Sequence, residues 1–445
     1  MNLTGGVKSQ ASGVSISRPT CASLSRILAV VMGLTLLAGC GSGSSTTPTT
    51  TTPTPVANTL PVTVNAGPAN NAVNFAYVSV RVCNPGGTTH CVTIPDVQVD
   101  TGSSGLRILA SAPGVSSLNL TPVTGSGNPV YECVQYADGT YLWGPVMQAA
   151  VSMAGENATN VPIQIIDSNA APTNVSSVCN PLGGSTVGTS TALQANGILG
   201  IGTAQQDCGI LCSASPVLPY YWLCSSSTVC TSAAAVPTAA QVSNPVAFFN
   251  GDNNGVMLAM NALGSTSGAA SATGLLTFGI GTQTDNALGS ANVYPLGLWP
   301  SGSFAGYYAL KSTYNNVPYP AFMDSASPIT YFLDPTAIAV PGCSGTYTNY
   351  YCPSSITNFI VSNTGYQGTA VNASIAVGNA QTLLSNSSLT AFSNLAGISG
   401  TGPSNDFVEF GLPFFYGKTI YAGIAGESVP SGVPPSAAEL GYYAF

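Results

Sequence analysis

The chain has 445 residues, of which only 5% are charged, with seven Lys or Arg against fifteen Asp or Glu and a formal net charge of −8. Soluble domains usually contain about 25% charged residues, so long helices with charged outer faces are not expected. The negative charge argues against nucleic acid and anionic lipid surfaces as partners. With 50 Gly and 32 Pro among many Val, Thr and Tyr, the composition predicts a mostly β protein of short strands and turns.

Residues 1–39 have the pattern of an export signal. Three basic residues precede the apolar run ILAVVMGLTLLAG (27–39), and Cys40 follows directly. The pattern resembles a bacterial lipoprotein signal, which implies that Cys40 is lipidated and becomes the mature N-terminus. A transmembrane anchor is the alternative, but this run spans only about 20 Å of helix against a bilayer core of about 30 Å. Gly41 resembles the residue after the cysteine in lipoproteins sent to the outer membrane, so we expect a cell-envelope location there.

Residues 40–61 are predicted to be a tether. After the lipidated Cys40, the stretch GSGSSTTPTTTTPTPVANTLP (41–61) has no charge and little apolar content, which is typical of an extended Ser/Thr/Pro linker. Removal of the leader leaves four basic residues against fifteen acids, a formal charge of −11. The lipid would therefore be the contact with the membrane, and the folded part would stand away from it.

Ten cysteines follow Cys40, an even number in an exported chain, so disulfides are expected. Cys83 with Cys91, and Cys343 with Cys352, would each close a short loop. The sequence does not pair the other six, which are Cys133, Cys179, Cys208, Cys212, Cys224 and Cys230. A zinc site formed by the last four of these is the alternative to disulfides.

His90 is the only histidine of the chain and lies in CNPGGTTHC (83–91), which is typical of a surface loop. Any mechanism that passes from Ser or Cys to His would depend on it alone. The sequence has no HExxH motif, Walker loop or dinucleotide-binding glycine motif with its acid. We therefore expect no metal and no cofactor beyond the lipid on Cys40, and carboxylates are the remaining candidates for catalysis.

The stretch VDTGSSGLRIL (99–109) contains the strongest candidate acid. Val97 and Val99 predict a buried strand that ends at Asp100. The Gly102 backbone N–H and the Ser103 hydroxyl would both be available to donate hydrogen bonds to its carboxylate. A turn aspartate at a sheet edge is the alternative, because an isolated Asp-Thr-Gly is a weak motif.

This stretch resembles the first active-site loop of pepsin-like aspartic peptidases, in which an apolar strand runs into Asp-Thr-Gly-Ser-Ser. The segments DTGSSGLR and GLPFFYGK are most similar to a branch of bacterial lipoproteins with no assigned activity. Three further stretches resemble the family in the order it requires. They are the flap-like YECVQYADGTYLWGPV (131–146), the hydrophobic-glycine segment ANGILGIG (195–202) and the second acid loop AFMDSASPITYF (321–332).

The resemblance implies a set of site residues. Asp100 and Asp324 would be the catalytic pair, and Tyr136 would be the flap tyrosine beside the hairpin turn Asp138-Gly139, which would contact substrate. The residues that would support the two acid loops are Thr101, Gly102, Ser103, Ser325 and Ser327.

The resemblance also implies an all-β, bilobal fold with two related barrel-like lobes and a cleft between them. GLLTFGIG (274–281) and EFGLPFFYGKTIYAGI (409–424) look like later strands of the second lobe. An acid and a following glycine recur at similar spacing, with 100 residues from Asp100 to Gly200 and 87 from Asp324 to Gly411. The N-terminal lobe is assigned to 62–245, including a disulfide-rich excursion at 203–245, and the C-terminal lobe to 246–445.

Three positions depart from the family pattern. Ala326 stands where the second loop usually has glycine, and Asn196 replaces the usual acid of the hydrophobic-glycine segment. Arg107 stands where pepsins commonly have a tryptophan. Arg107 could place a positive charge near the cleft and lower the pKa of a carboxylate, or it could face solvent or pair with a surface acid.

The sequence therefore favours a membrane-tethered aspartic endopeptidase that cuts extended peptide segments with a water-activating Asp pair. Two adjacent carboxylates cannot both ionise cheaply, so the pair would share one proton. The alternative is a catalytically inactive lipoprotein that binds a peptide or protein partner in the same cleft. We expect a monomer whose partners are a peptide or protein substrate and the membrane, through its lipid, with no nucleic acid.

Overall fold

The structure is a computed structural model that describes residues 58–445 except 88, 136–139, 170, 180–184, 215–219, 227–228, 233–234, 367 and 401–404. The predicted signal peptide, Cys40 and most of the predicted tether lie outside the described residues. None of the helices in the described part of the chain is long and apolar enough to cross a membrane.

Strands dominate the described chain. Those of the first half are β1 (Thr59–Val64), β2 (Ala76–Cys83), β3 (Cys91–Asp100), β4 (Ser104–Leu109), β5 (Thr121–Pro122), β6 (Thr124–Gly125), β7 (Asn128–Gln135), β8 (Tyr141–Met153), β9 (Glu156–Ile166), β10 (Gly197–Ile201), β11 (Tyr221–Ser226) and β12 (Val229–Ser232). Those of the second half are β13 (Gly255–Met260), β14 (Ala272–Phe278), β15 (Val293–Pro295), β16 (Gly297–Leu298), β17 (Tyr308–Tyr314), β18 (Val317–Met323), β19 (Thr330–Phe332), β20 (Thr357–Thr364), β21 (Val371–Val377), β22 (Ala396–Ile398), β23 (Val408–Phe410), β24 (Thr419–Gly423) and β25 (Tyr442–Ala444).

Helices are short connections between these strands, because few stretches between turn residues are long enough for more than two turns. The α-helices are α1 (Thr173–Cys179), α2 (Ser190–Leu193), α3 (Ile210–Ala214), α4 (Pro335–Ile338), α5 (Ala380–Leu383), α6 (Leu412–Phe415) and α7 (Pro435–Leu440). The 3₁₀ turns are Val115–Ser117, Thr238–Ala240, Pro245–Phe248, Gly302–Phe304 and Gly345–Tyr347.

The strands form two sheets. The larger contains β1 to β15 together with β24 and β25, so strands from both ends of the described chain meet in it. The smaller has the order β21-β20-β17-β18-β23-β19-β22, with β16 added at β17. This strand content and its division between two sheets confirm the expected all-β, two-lobed fold class.

The first strand begins inside the segment predicted to be tether. Thr59–Pro61 are part of β1 and pair with β14, in the register Thr59↔Thr277 to Pro61↔Leu275. Val62 and Val64 of the same strand are buried, so backbone pairing and apolar burial together extend the folded part three residues towards the N-terminus.

Both halves of the chain use the same local arrangement at their acid. β10 pairs in parallel with β3 and antiparallel with β4, and thus lies between the strands on either side of the first acid loop. β23 pairs in parallel with β18 and antiparallel with β19 on either side of the second. Close backbone approach requires Gly200 in β10 and Gly411 directly after β23, because a Cβ on Gly200 would lie 2.7 Å from the Gly105 carbonyl oxygen, and one on Gly411 would lie 2.0 Å from that of Ile329.

The excursion at 203–245 adds strands to the flap hairpin. β7 and β8 form that hairpin, and β11 pairs with the outer edge of β7 while β12 pairs with β11. The described residues contain five disulfides, including both that the sequence predicted, and they join Cys83–Cys91, Cys133–Cys179, Cys208–Cys212, Cys224–Cys230 and Cys343–Cys352. The four sulfurs considered as zinc ligands are therefore bonded in pairs, and the excursion is held by disulfides.

Candidate active site

The first acid loop holds Asp100 at the end of β3. Its Oδ1 accepts hydrogen bonds from the backbone N–H groups of Gly102 and Ser103, both at 2.9 Å, and its Oδ2 accepts from the Ser103 hydroxyl. Asp100 has no exposed surface, and neither do Val97 and Val99 before it. The apolar strand buries the carboxylate, and the tight turn after it supplies hydrogen-bond donors that offset the free-energy cost of this burial.

The second acid loop repeats this arrangement at Asp324, which is 1% exposed. The Ala326 N–H donates to Oδ1 at 2.8 Å, and the Ser327 hydroxyl donates to Oδ2 at 2.9 Å. Ala326 does not have the positive φ that would favour glycine, so its methyl group leaves the backbone donor in place. Its carbonyl oxygen accepts from Gln98 Nε2 at 3.0 Å, which ties this loop to β3.

Thr101 and Ser325 join the two loops reciprocally. Thr101 Oγ1 donates to the Met323 carbonyl and accepts from the Ser325 N–H, both at 3.0 Å. Ser325 Oγ donates to the Val99 carbonyl at 2.7 Å and accepts from the Thr101 N–H at 3.1 Å. All four groups are buried, so these hydrogen bonds hold residues that are more than 220 positions apart in one geometry.

Gly102 shows how closely the loops approach each other. Its N–H binds Asp100, while a Cβ added to it would lie 2.5 Å from Cγ of Asp324 and 2.8 Å from Oδ1 of that residue. Only a glycine fits between the carboxyl group of one loop and the backbone of the other. The structure therefore brings Asp100 and Asp324 together with all five predicted supporting residues.

A cavity of ≈ 370 Å³ opens beside this pair. Its walls come from both acid loops, from the excursion and from the C-terminal segment. The lining includes Ser103, Asp324, Gln205, Ile210, Phe322 and Glu439. This cleft reaches the second carboxylate directly and is wide enough for side chains of an extended ligand.

Tyr443 of β25 adds a donor that the sequence did not reveal. Its hydroxyl donates to the Thr101 carbonyl oxygen at 2.8 Å and is buried. Burial raises the pKa of Tyr443, and the nearby Asp324, Asp100 and Glu409 carboxyl groups raise it further. The hydroxyl therefore remains a neutral donor at any physiological pH.

Glu409 of β23 is a third buried acid in the site, and sequence reasoning missed it. It has no exposed surface, and its Oε1 is hydrogen-bonded to the Ser327 hydroxyl. The available signal was a glutamate inside the otherwise apolar run VEFGLPFF (408–415), a position where burial of an acid needs a partner.

Arg107 neither faces solvent nor pairs with an exposed surface acid. It is 2% exposed, and its Nη2 lies 2.7 Å from Glu132 Oε1 on β7 and 2.9 Å from Asp207 Oδ2 in the excursion. Tyr221 of β11 donates to the other oxygen of Asp207 at 2.6 Å. This cluster joins β4, the flap hairpin and the excursion.

Burial is the main influence on the pKa of Glu132 in that cluster. The pKa of Glu132 is raised well above its usual value, mainly because the group is fully desolvated. Arg107 opposes that rise, and Asp207 adds to it. Glu132 Oε2 has no hydrogen-bond partner among the described residues, which is consistent with a carboxyl group that loses its proton reluctantly.

Some predicted site residues lie outside the described part of the chain. Tyr136 and the turn Asp138-Gly139 fall in the gap 136–139 at the tip of the hairpin, and Cys40 precedes the first described residue. Their roles stay predictions. His90 lies in the loop closed by Cys83–Cys91 and is exposed.

Residues 54–445 match the family described as "Protein of unknown function (DUF3443)", and the chain belongs to that family. None of the curated proteins matches it. Solved structures that match include an aspartic proteinase from Irpex lacteus, with 14% identity, a TM-score of 0.47, and coverage of 87% of this chain and 96% of that one. A match at this identity and score does not assign an activity to this chain.

Proposed function

We propose that this member of the family is a membrane-tethered aspartic endopeptidase that hydrolyses extended peptide segments of proteins in the cell envelope. The observation that carries the proposal is the pair of reciprocal acid loops, in which Asp100 and Asp324 are buried, supplied with backbone and hydroxyl donors, and placed against one another around Gly102. Structural aspartates seldom occur as such a pair at a cleft, because burial of two carboxyl groups side by side is costly without a function.

The chemistry follows from a proton shared between the two carboxyl groups. The ionised member takes a proton from a water molecule held between them, while the protonated member donates its proton to the oxygen of the scissile carbonyl. The water oxygen bonds to the carbonyl carbon and gives a neutral tetrahedral diol. The C–N bond then breaks as one carboxyl group protonates the leaving nitrogen, and the other recovers the hydroxyl proton, so the pair ends with one proton as it began.

The reciprocal contacts of Thr101 and Ser325 support this chemistry, because rigid loops keep both carboxylates in position without reorganisation. The cleft supports a peptide substrate, since it offers both apolar and polar walls and is lined in part by the excursion whose strand β11 pairs with the flap hairpin. The anchor part of the proposal comes from the sequence around Cys40 alone.

The test compares the full chain in detergent with Asp100→Asn and Asp324→Asn, using an unbiased peptide mixture between about pH 3 and pH 7, where a proton-sharing pair titrates. Asp285→Asn is the matched control, because Asp285 is exposed and the chemical change is the same. We expect cleavage by the wild type and the control but by neither active-site variant. A folded wild type that binds peptides without cutting them would instead support the alternative of a binding lipoprotein.

A further inference from the structure

The third carboxyl group of the site is connected to the catalytic pair through one hydroxyl. Parallel pairing of β23 with β18 puts Glu409 opposite Phe322, two residues before Asp324. The Ser327 hydroxyl contacts both Asp324 Oδ2, at 2.9 Å, and Glu409 Oε1. Asp324, Ser327 and Glu409 therefore form a continuous buried chain of hydrogen-bonding groups.

A count of hydrogens constrains the charge of this chain. The Ser327 hydroxyl has one hydrogen and can donate it to only one carboxyl group at a time. Its contact with the other oxygen is favourable only when that carboxyl group is itself protonated and donates to the serine oxygen. With both contacts formed, either Glu409 or Asp324 therefore holds a proton on the atom that faces Ser327.

The surroundings of the two acids place that proton on Glu409. Asp324 receives the Ala326 N–H on its other oxygen, a donor that favours its ionised form. Both acids are buried, so desolvation favours a proton on one of them, and the Ala326 donor on Asp324 directs that proton to Glu409. In the described part of the chain, the titratable groups near Glu409 include Asp324, linked to it through Ser327, Tyr331, which pairs with it on β19, and Tyr443, which also senses Asp100.

We propose that Glu409 is a positioning residue that works in its protonated form, donating to Ser327 so that the Ser327 hydroxyl is directed at Asp324 Oδ2. This inference rests on the proposed peptidase function. In the working state the three acids would hold two protons, one on Glu409 and one shared by the catalytic pair. Loss of the Glu409 proton turns the serine hydroxyl away from Asp324 or places a second buried negative charge beside it. The enzyme therefore loses activity when Glu409 ionises.

Glu409→Gln separates this role from simple packing. The glutamine amide donates to Ser327 as a protonated glutamate does, but it cannot ionise. For wild type we expect kcat/KM to fall with rising pH with a slope that reports two protons. For Glu409→Gln we expect a rate within about threefold of wild type at low pH, and a one-proton decline whose midpoint lies at least about one pH unit higher.

Glu409→Leu is the matched variant, because leucine keeps approximately the side-chain volume but has no hydrogen-bond donor. Asp285→Asn is again the control for effects of preparing a variant protein. We expect Glu409→Leu to lose about tenfold in kcat/KM at low pH, the effect of losing the one hydrogen bond that orients the Ser327 hydroxyl. If Glu409→Gln shows the wild-type slope and midpoint, or if it behaves as Glu409→Leu does, the proposal is overturned.

A second measurement does not depend on activity and so distinguishes failure of this inference from failure of the proposed function. Only five glutamates occur in the chain, so infrared spectra with ¹³C-carboxyl glutamate are tractable. We expect a protonated glutamate band at pH 6 that persists in Glu132→Gln and loses one component in Glu409→Gln. No difference between wild type and Glu409→Gln would show that Glu409 is ionised and would overturn the proposal even in an active enzyme.

Discussion

Gly102→Ala is the substitution that tests the opposition of the two acid loops most directly. The added methyl carbon would lie 2.5 Å from Asp324 Cγ and 2.8 Å from both Cβ and Oδ1 of that residue. Non-bonded carbons settle at about 3.5–4.0 Å, so the two loops must separate by roughly 1 Å to accept the methyl group. The four hydrogen bonds that Thr101 and Ser325 make between the two loops resist that separation.

The expected magnitude follows from this displacement. A misplacement of about 1 Å in a catalytic group costs about a hundredfold in rate, which corresponds to about 2.7 kcal/mol of transition-state stabilisation. Overpacking of a close-packed site costs a further 1–3 kcal/mol or so in the free energy of unfolding. We expect Gly102→Ala to lose about a hundredfold in kcat/KM while the protein still folds.

The assay pairs peptide cleavage at the pH of maximal rate with chemical unfolding of the same preparations. Gly264→Ala is the matched control, since a Cβ there meets nothing within 4 Å and its φ is not positive. If Gly102→Ala kept kcat/KM within about threefold and unfolded like the control, the loops would not be in contact and the reasoning would be refuted.

Three further variants probe the surroundings of the site. Tyr443→Phe removes the hydrogen bond to the Thr101 carbonyl oxygen. We expect this variant to lose about 1 kcal/mol in the free energy of unfolding and up to about tenfold in kcat. An unchanged kcat would contradict a positioning role for Tyr443. Arg107→Met leaves Glu132 and Asp207 without the cation that they share and should cost about 3–5 kcal/mol in chemical unfolding, of which the double variant with Glu132→Gln should recover a part. Because the pKa of Glu132 is raised in the folded protein, the wild type loses stability as pH rises from the unfolded value of about 4.3. In chemical unfolding, the free energy of unfolding of Glu132→Gln relative to wild type should therefore be more favourable at pH 7 than at pH 4. An equal difference at the two pH values would contradict the raised pKa.

Features that depend on neighbouring residues could be predicted from the sequence. The small residues that follow Asp100 predict the turn there, and the Gly102 N–H and the Ser103 hydroxyl bind the carboxylate as expected. The disulfides Cys83–Cys91 and Cys343–Cys352 have separations of only 8 and 9 residues, and no other cysteine lies near either pair in the sequence, so closure of a short loop favours those pairings. Strand composition likewise predicted the all-β class, because β propensity and turn residues act locally.

The pairing of the two acid loops could not be predicted from neighbouring residues. Asp100 and Asp324 lie in different sheets, and nothing local in either loop requires the other. Their pairing followed from the resemblance of several ordered segments. The structure then supplied the physical reason for it in the hydrogen bonds of Thr101 and Ser325 and in the narrow space at Gly102.

Only the tertiary structure decided the partners of the buried charges. Arg107 meets Glu132 and Asp207 from positions 25 and 100 residues away, and Glu409 meets Ser327 across 82 residues. The sequence left open whether Arg107 is near the cleft, and it marked Glu409 only as an acid inside an apolar run, with no indication of its partner. A charged side chain is equally compatible with a solvated turn and a buried network, and burial by strands from distant parts of the chain selects between them, because an unpaired charge cannot be left in the core.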